Sequence, residues 1–171
     1  EAKYARMLDF GRHLPALRAR VARDLTGRAL SRERVLAGVV SLLEKSLIRV
    51  GNDEYASSNG SFGLTTLRDR HATVAGGVVC FRFRGKSGIR HEVRVRHRQL
   101  ATLVRKCQEL PGQELFQYRD ETGAVRDVTS GDVNDYLRAV SGRDFTAKDF
   151  RTWAGTVLAA TQTGLFRRNE T

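Results

Sequence analysis

Apolar residues in this chain recur at helical spacing to about residue 47, at period two between about residues 64 and 96, and at helical spacing again to about residue 160. From Lys3 to about Asp24, Leu8, Leu14, Leu17, Val21 and Leu25 share one side. Arg12, Arg18, Arg20 and Arg23 lie mostly on the other. The spacing predicts a helix that Pro15 kinks or breaks. Ser31 is placed to cap a second helix running to about Leu47 and burying Val35, Leu36, Val39, Val40, Leu43 and Leu47. Beyond the loop at Ser57 to Ser61, four segments predict short antiparallel strands: Leu64 to Leu67, Ala72 to Val74, Val78 to Arg84 and Ile89 to Arg96. The last two are joined by Gly85-Lys86-Ser87-Gly88, a hairpin turn. Val79, Phe81, Phe83, Val93 and Val95 form one apolar face, while Arg82, Arg84, Arg94 and Arg96 point the other way. Alternation alone describes any half-buried sheet, but a wet face so nearly all arginine points to phosphate contact.

His97 to Leu110 returns to helical spacing with Leu100, Leu103, Val104 and Cys107 inward, and Pro111-Gly112 ends it. Leu115 to Tyr118 reads as extended and Asp120 to Gly123 as a turn. Thr129 or Ser130 caps a helix through Val140, closed by Ser141-Gly142. Thr146, spaced to Asp149 as in a capping box, starts a final helix reaching about Ala160. The expected class is α+β: a mainly helical domain over residues 1–160, with a small antiparallel sheet of about three strands carrying the Lys86 hairpin. Residues 161–171 read as a frayed helix or linker.

Charge sharpens this picture. Thirty Lys and Arg against 19 Asp and Glu leave +11, with a pI near 10.6, which favours a polyanionic partner, most simply nucleic acid. The absence of an aromatic platform at sheet spacing disfavours RNA. Cys80 and Cys107 stand apart from each other in apolar surroundings, as buried thiols of a reducing compartment do, without metal-site spacing. No run approaches the roughly 18 apolar residues of a membrane span, and the N-terminus lacks a signal-peptide core. A cytoplasmic protein, monomeric and without membrane contact, is therefore expected.

Candidate chemistry begins between Leu47 and His71. An apolar helix ends near Arg49; Gly51, Tyr55, a Ser/Asn/Gly loop and the strand-like GLTTLRDRH of Gly63 to His71 follow. Lys86 at the hairpin tip and Arg151 within KDFRTW are the other basic residues set apart by placement. Two guanidinium forks on the non-bridging oxygens and a lysine protonating a leaving oxygen would suit transesterification at a phosphodiester. Singly, each has an ordinary explanation: Lys86 as a solvated turn residue, Arg49 and Arg151 as helix-end charges.

Four segments in order, IRVGNDEY (Ile48 to Tyr55), GLTTLRDRH, FRGKSGIRHE (Phe83 to Glu92) and KDFRTW (Lys148 to Trp153), resemble the catalytic domain of type IB DNA topoisomerases of the poxvirus and bacterial kind. The resemblance implies that Arg49, Lys86 and Arg151 are catalytic. It also implies that Tyr55 and Lys148 support DNA contact and phosphate placement; Arg68, Arg70, Arg82 and Arg84 are the further candidate DNA-binding residues. The activity implied is relaxation of supercoiled DNA through a 3′-phosphotyrosyl intermediate, with neither ATP nor metal as cofactor, in a bacterial nucleoid or a viral setting. Three departures qualify it. The family's histidine and nucleophilic tyrosine follow the KDxRT helix, whereas here no His or Tyr follows Arg151, and Thr156 stands where some members carry Asn. The chain begins without Met, and nothing before Lys3 can supply the family's small N-terminal domain. It is therefore expected to be the central part of such an enzyme, binding DNA without forming an adduct. A tyrosine recombinase core and a non-catalytic DNA-binding module are the alternatives.

Overall fold

The structure, a computed structural model, describes residues 2–46, 48–52, 56–57 and 60–162. Helix α1 (Ala2–Asp24) buries Met7, Phe10, Leu14, Leu17 and Val21, a three-four spacing that keeps one stripe in the core. It runs unbroken through Pro15, contrary to the break the sequence suggested. Pro15 lies on the exposed side while Leu14 and Leu17 are held in the core, so packing on either side of it keeps the helix whole.

Helix α2 (Arg32–Ser46) starts where Ser31 Oγ accepts the Arg34 N–H at 3.2 Å. Every residue from Arg34 to Leu43 is buried, so α2 is not a one-faced surface helix but the central rod of the domain. The other elements pack around it, and Gly38 lets Leu103 reach the helix backbone. The Arg34 guanidinium survives there by donating to the Arg28 and Ala29 carbonyls.

A three-stranded antiparallel sheet, in the order β1 (Ala72–Ala75), β2 (Val78–Arg84), β3 (Arg90–Arg96), covers one flank. Its inner face places Val79, Phe81, Phe83 and Val95 in the core against α3 (Arg98–Gln108) and α2. Leu64 to Leu67 is not a fourth strand. Leu64–Thr66 and Asp69–His71 are single 3₁₀ turns, because Thr66 Oγ1 takes the Gly63 N–H and His71 Nδ1 takes the Arg68 N–H. Side-chain acceptors thus satisfy the donors that a ladder would have used. A ribbon of β4 (Gln117–Arg119) and β5 (Val125–Asp127) brackets the turn at Asp120; β5 had no apolar alternation to reveal it.

Helix α4 (Ser130–Ser141) opens on a reciprocal Thr129–Asp132 capping box and closes on Gly142 at φ 65°. Helix α5 (Ala147–Gln162) follows. The class anticipated from the sequence, α+β with a small antiparallel sheet, is the one observed.

Candidate active site

The segment carrying Arg49 is fixed by its backbone. The Arg49 carbonyl accepts the Leu64 N–H at 2.8 Å, and the Val50 carbonyl accepts the N–H and Oγ1 of Thr65, each at 2.8 Å. Two glycines permit this closeness. Gly51 sits at φ +97°, and a Cβ on Gly63 would fall inside contact distance of the Gly51 backbone and 2.6 Å from the Arg49 carbonyl oxygen. Phe62 then donates its N–H to the Arg84 carbonyl at 2.8 Å, fastening the same segment to the hairpin. Its ring leans on His71 at 4.6 Å. Burial first, then the charges of Arg70 and Arg68, lower the His71 pKa below its ordinary value. The neutral ring this favours is the form able to accept the Arg68 N–H.

Lys86 projects from a turn closed by Gly85 N–H to Ile89 O at 2.7 Å and Gly88 N–H to Gly85 O at 3.1 Å, with Ser87 in the left-handed region at φ 63°. His91 lies over Gly85, where a Cβ would meet its ring at 2.6 Å, and stacks on Phe83 at 5.2 Å. Arg151 rides the second turn of α5, whose start is anchored twice. Asp149 takes the Thr146 N–H at 2.8 Å and both Nε and Nη2 of Arg6 at 2.8 and 2.9 Å. Burial would raise the Asp149 pKa, but the Arg6 hydrogen bond and the cap outweigh it and hold the carboxylate below its usual range. Phe10 meets Phe145 and Phe150 edge-on, locking α1 to the same helix.

These three anchors bring Arg49, Lys86 and Arg151 to the walls of one cleft of about 1030 Å³. A second hollow of about 520 Å³ shares all three and is backed by Phe83, Ile89 and His91. Lys3 and Lys148 add two more cations to the larger cleft, and no Asp or Glu lines either space among the described residues. Burial, and then the nearby Arg49 charge, lower the Arg151 pKa. The two guanidinium groups thus add their positive charge to the same cleft.

A family model of the catalytic core of eukaryotic DNA topoisomerase I matches residues 1–170. The chain is also 32% identical over 159 residues to DNA topoisomerase 1B of Acanthamoeba polyphaga mimivirus, covering 91% of this chain and 47% of that protein. The chain belongs to the DNA topoisomerase I catalytic-core family. It spans about half the length of that curated relative. Its fold also resembles the XerH site-specific recombinase solved with difH substrate as a pre-cleavage complex. That likeness has a TM-score of 0.53 at 12% identity over 89% of this chain and 43% of the recombinase, and shows the fold alone.

Within this topoisomerase-family chain the other residues singled out from sequence are dispersed. Lys148 lines the cleft. Arg68 lies over the Phe62 ring at 6.0 Å and bonds Gln113, and Arg70 is exposed next to it. Arg82 and Arg84 are on the outer face of the sheet, Arg82 paired with Glu92 at 3.3 Å and Arg84 reaching the Gly88 carbonyl at 3.4 Å. Tyr55 lies outside the described residues. Lys3, Asn52, Phe62 and His91 are cleft or hollow residues that the sequence did not single out. For Lys3 no local signal existed; the spacing of Gly51 and Gly63 was the available clue to the tight segment joining Arg49 to Phe62. Among the described residues no cluster of three or more His, Cys, Asp or Glu is placed to hold a metal, and no helix is long and apolar enough to cross a membrane. Cys107 is buried against the Gln117 carbonyl, and burial pushes its thiol up to about 12, which makes it inert packing.

Proposed function

We propose that the chain is the phosphate-binding and proton-donating part of a type IB DNA topoisomerase, whose full-length parent relaxes supercoiled duplex DNA. The observation that carries this is the convergence of Arg49, Lys86 and Arg151, from three separate segments, on one cleft without a lining carboxylate among the described residues. Arg49 and Arg151 would each fork onto the non-bridging oxygens of one phosphodiester and stabilise the charge that grows there during attack. A tyrosine oxygen forms the new bond to phosphorus as the bond to the 5′ oxygen breaks, and Lys86 delivers the proton that oxygen needs. Reversal of the same steps reseals the strand, so the phosphodiester energy is conserved in the enzyme-linked ester. The mimivirus relative's name supports relaxation as the outcome.

No tyrosine follows Arg151, so in this reading the nucleophile comes from elsewhere in the parent. The 171-residue chain therefore binds duplex DNA in a salt-dependent manner and forms no covalent adduct on a suicide substrate. In the parent, Arg49→Ala, Lys86→Ala or Arg151→Ala each lowers plasmid relaxation by roughly 100-fold or more. Undiminished relaxation by all three variants would sink the assignment and leave a DNA-binding module. The fold likeness to XerH keeps one second reading, a tyrosine recombinase core; strand exchange between two sites, without free relaxation, identifies it.

A further inference from the structure

The turn that carries Lys86 is tied to the sheet by little backbone. Gly85 N–H reaches the Ile89 carbonyl at 2.7 Å, but the return bond from the Ile89 N–H to the Lys86 carbonyl is long, at 3.4 Å. Lys86 and Ser87 are both exposed, and Ser87 holds the left-handed region at φ 63°. Nothing within the turn itself therefore packs to fix where the lysine stem leaves it.

Side-chain support comes from the neighbouring cross-strand pair. Phe83 and His91 stand opposite each other in the β2–β3 register, with ring planes 17° apart. Gly85, two residues on from Phe83, would direct a side chain to the same face. The His91 ring occupies that space: a Cβ on Gly85 would lie 2.6 and 2.7 Å from its Cδ2 and Nε2, and 3.6 Å from Phe83 Cε2. Gly85 has φ −98° and ψ −161°, extended backbone that any residue adopts, so the glycine serves the ring and not the dihedral. His91 is exposed, yet the Gly85 peptide beneath it is buried. Among the described residues the ring makes no hydrogen bond, so what it gives the turn is contact. The same ring backs the hollow shared by Arg49, Lys86 and Arg151.

We propose that His91 is a positioning residue for Lys86: its ring, stacked on Phe83 and laid over Gly85, holds the hairpin peptide where the lysine can reach the leaving oxygen. The proposal rests on the cleft chemistry proposed above. It makes the shape of the ring, and not its nitrogens, the working feature. The test is single-turnover cleavage by the full-length parent on two substrates, one with the ordinary 5′ oxygen at the scissile bond and one with sulfur in its place. As the tyrosine oxygen bonds to phosphorus and the phosphorus–sulfur bond breaks, the sulfur leaves as a thiolate and needs no proton from Lys86. His91→Ala lowers the rate about 10- to 100-fold on the oxygen substrate, the range that a misplaced group costs. On the sulfur substrate it cleaves at the wild-type rate, as Lys86→Ala does. His91→Phe, which keeps a flat ring, cleaves the oxygen substrate at close to the wild-type rate. Full-rate oxygen cleavage by His91→Ala overturns the proposal. So does a defect of equal size on both substrates, which would place the effect on the arginines or the fold. A His91→Phe rate as low as that of His91→Ala overturns it too, since a ring nitrogen would then be acting. If Lys86→Ala is slow on both substrates, the cleft reading fails and this proposal with it; if sulfur relieves Lys86→Ala while His91→Ala is never impaired, the proposal alone fails.

Discussion

Replacing Gly63 by alanine tests whether the Arg49 segment is positioned by a backbone contact. Gly63 has φ −132° and ψ −173°, which any residue adopts, so alanine meets no dihedral penalty there. What it meets is the Gly51 backbone inside contact distance and the Arg49 carbonyl oxygen at 2.6 Å. Neither neighbour is a flexible side chain, and both are held by the hydrogen bonds from Leu64 and Thr65. Overpacking of a tight site costs about 1–3 kcal/mol, and a rigid backbone neighbour places this one in the upper half, at about 2–3 kcal/mol. For a chain of this size each kcal/mol moves the midpoint by about 2–4 °C, so Gly63→Ala should unfold about 4–12 °C below wild type by circular dichroism. Gly155→Ala is the control. Nothing lies within 4 Å of its would-be Cβ, and a helical Gly→Ala change there should stabilise by about 1 kcal/mol. Because the displaced atom is the Arg49 carbonyl, relaxation by the Gly63→Ala parent should also fall at temperatures where it remains folded. A Gly63→Ala midpoint equal to wild type would refute the steric reasoning.

Two further outcomes follow from the packing. Asp149 has a folded-state pKa below its unfolded value, so its contribution is complete above the ordinary carboxylate pKa and is lost as pH falls through the lower folded one. Asp149→Asn should therefore lower stability by about 1–2 kcal/mol at neutral pH, and the difference from wild type should begin to narrow at about pH 3.9 and close below the lower folded value; a gap that persists in stronger acid contradicts it. Tyr136, almost wholly buried, donates its hydroxyl to Asp24 at 2.7 Å, and Tyr136→Phe should cost about 1–2 kcal/mol, read as a fall of the thermal midpoint. An unchanged midpoint would mean that water replaces the bond without loss.

Much of the local structure was legible because it has a period or a cap. The α1 stripe, the Ser31, Thr129 and Thr146 caps and the β2–β3 hairpin each follow from residues within a few positions of one another. Where local signals misled, a partner distant in the chain or a short side-chain bond was responsible. Leu64 to Leu67 alternates like a strand, but the bonds at Thr66 and His71 turn it into 3₁₀ structure beside Arg49. Pro15 should end a helix, yet the packed residues on either side keep α1 continuous. The four family segments marked Arg49, Lys86 and Arg151 in the sequence, but not how far the other basic residues are from them. Strand alternation and the fold put Arg82 and Arg84 on the opposite side of the sheet from that cleft, and brought in Lys3 from the far end of the chain.

By itself, then, the sequence determined the helices, the hairpin and the strong positive charge, because these depend on residue type and near-neighbour spacing, while the resemblance of four segments to a family marked the candidate phosphate-binding residues. Only the tertiary structure decided that three cations from separate elements share one cleft, and that the sheet arginines face away from it. Those are relations between positions far apart in the chain, set by how α2 is surrounded and by which side of each strand meets the core.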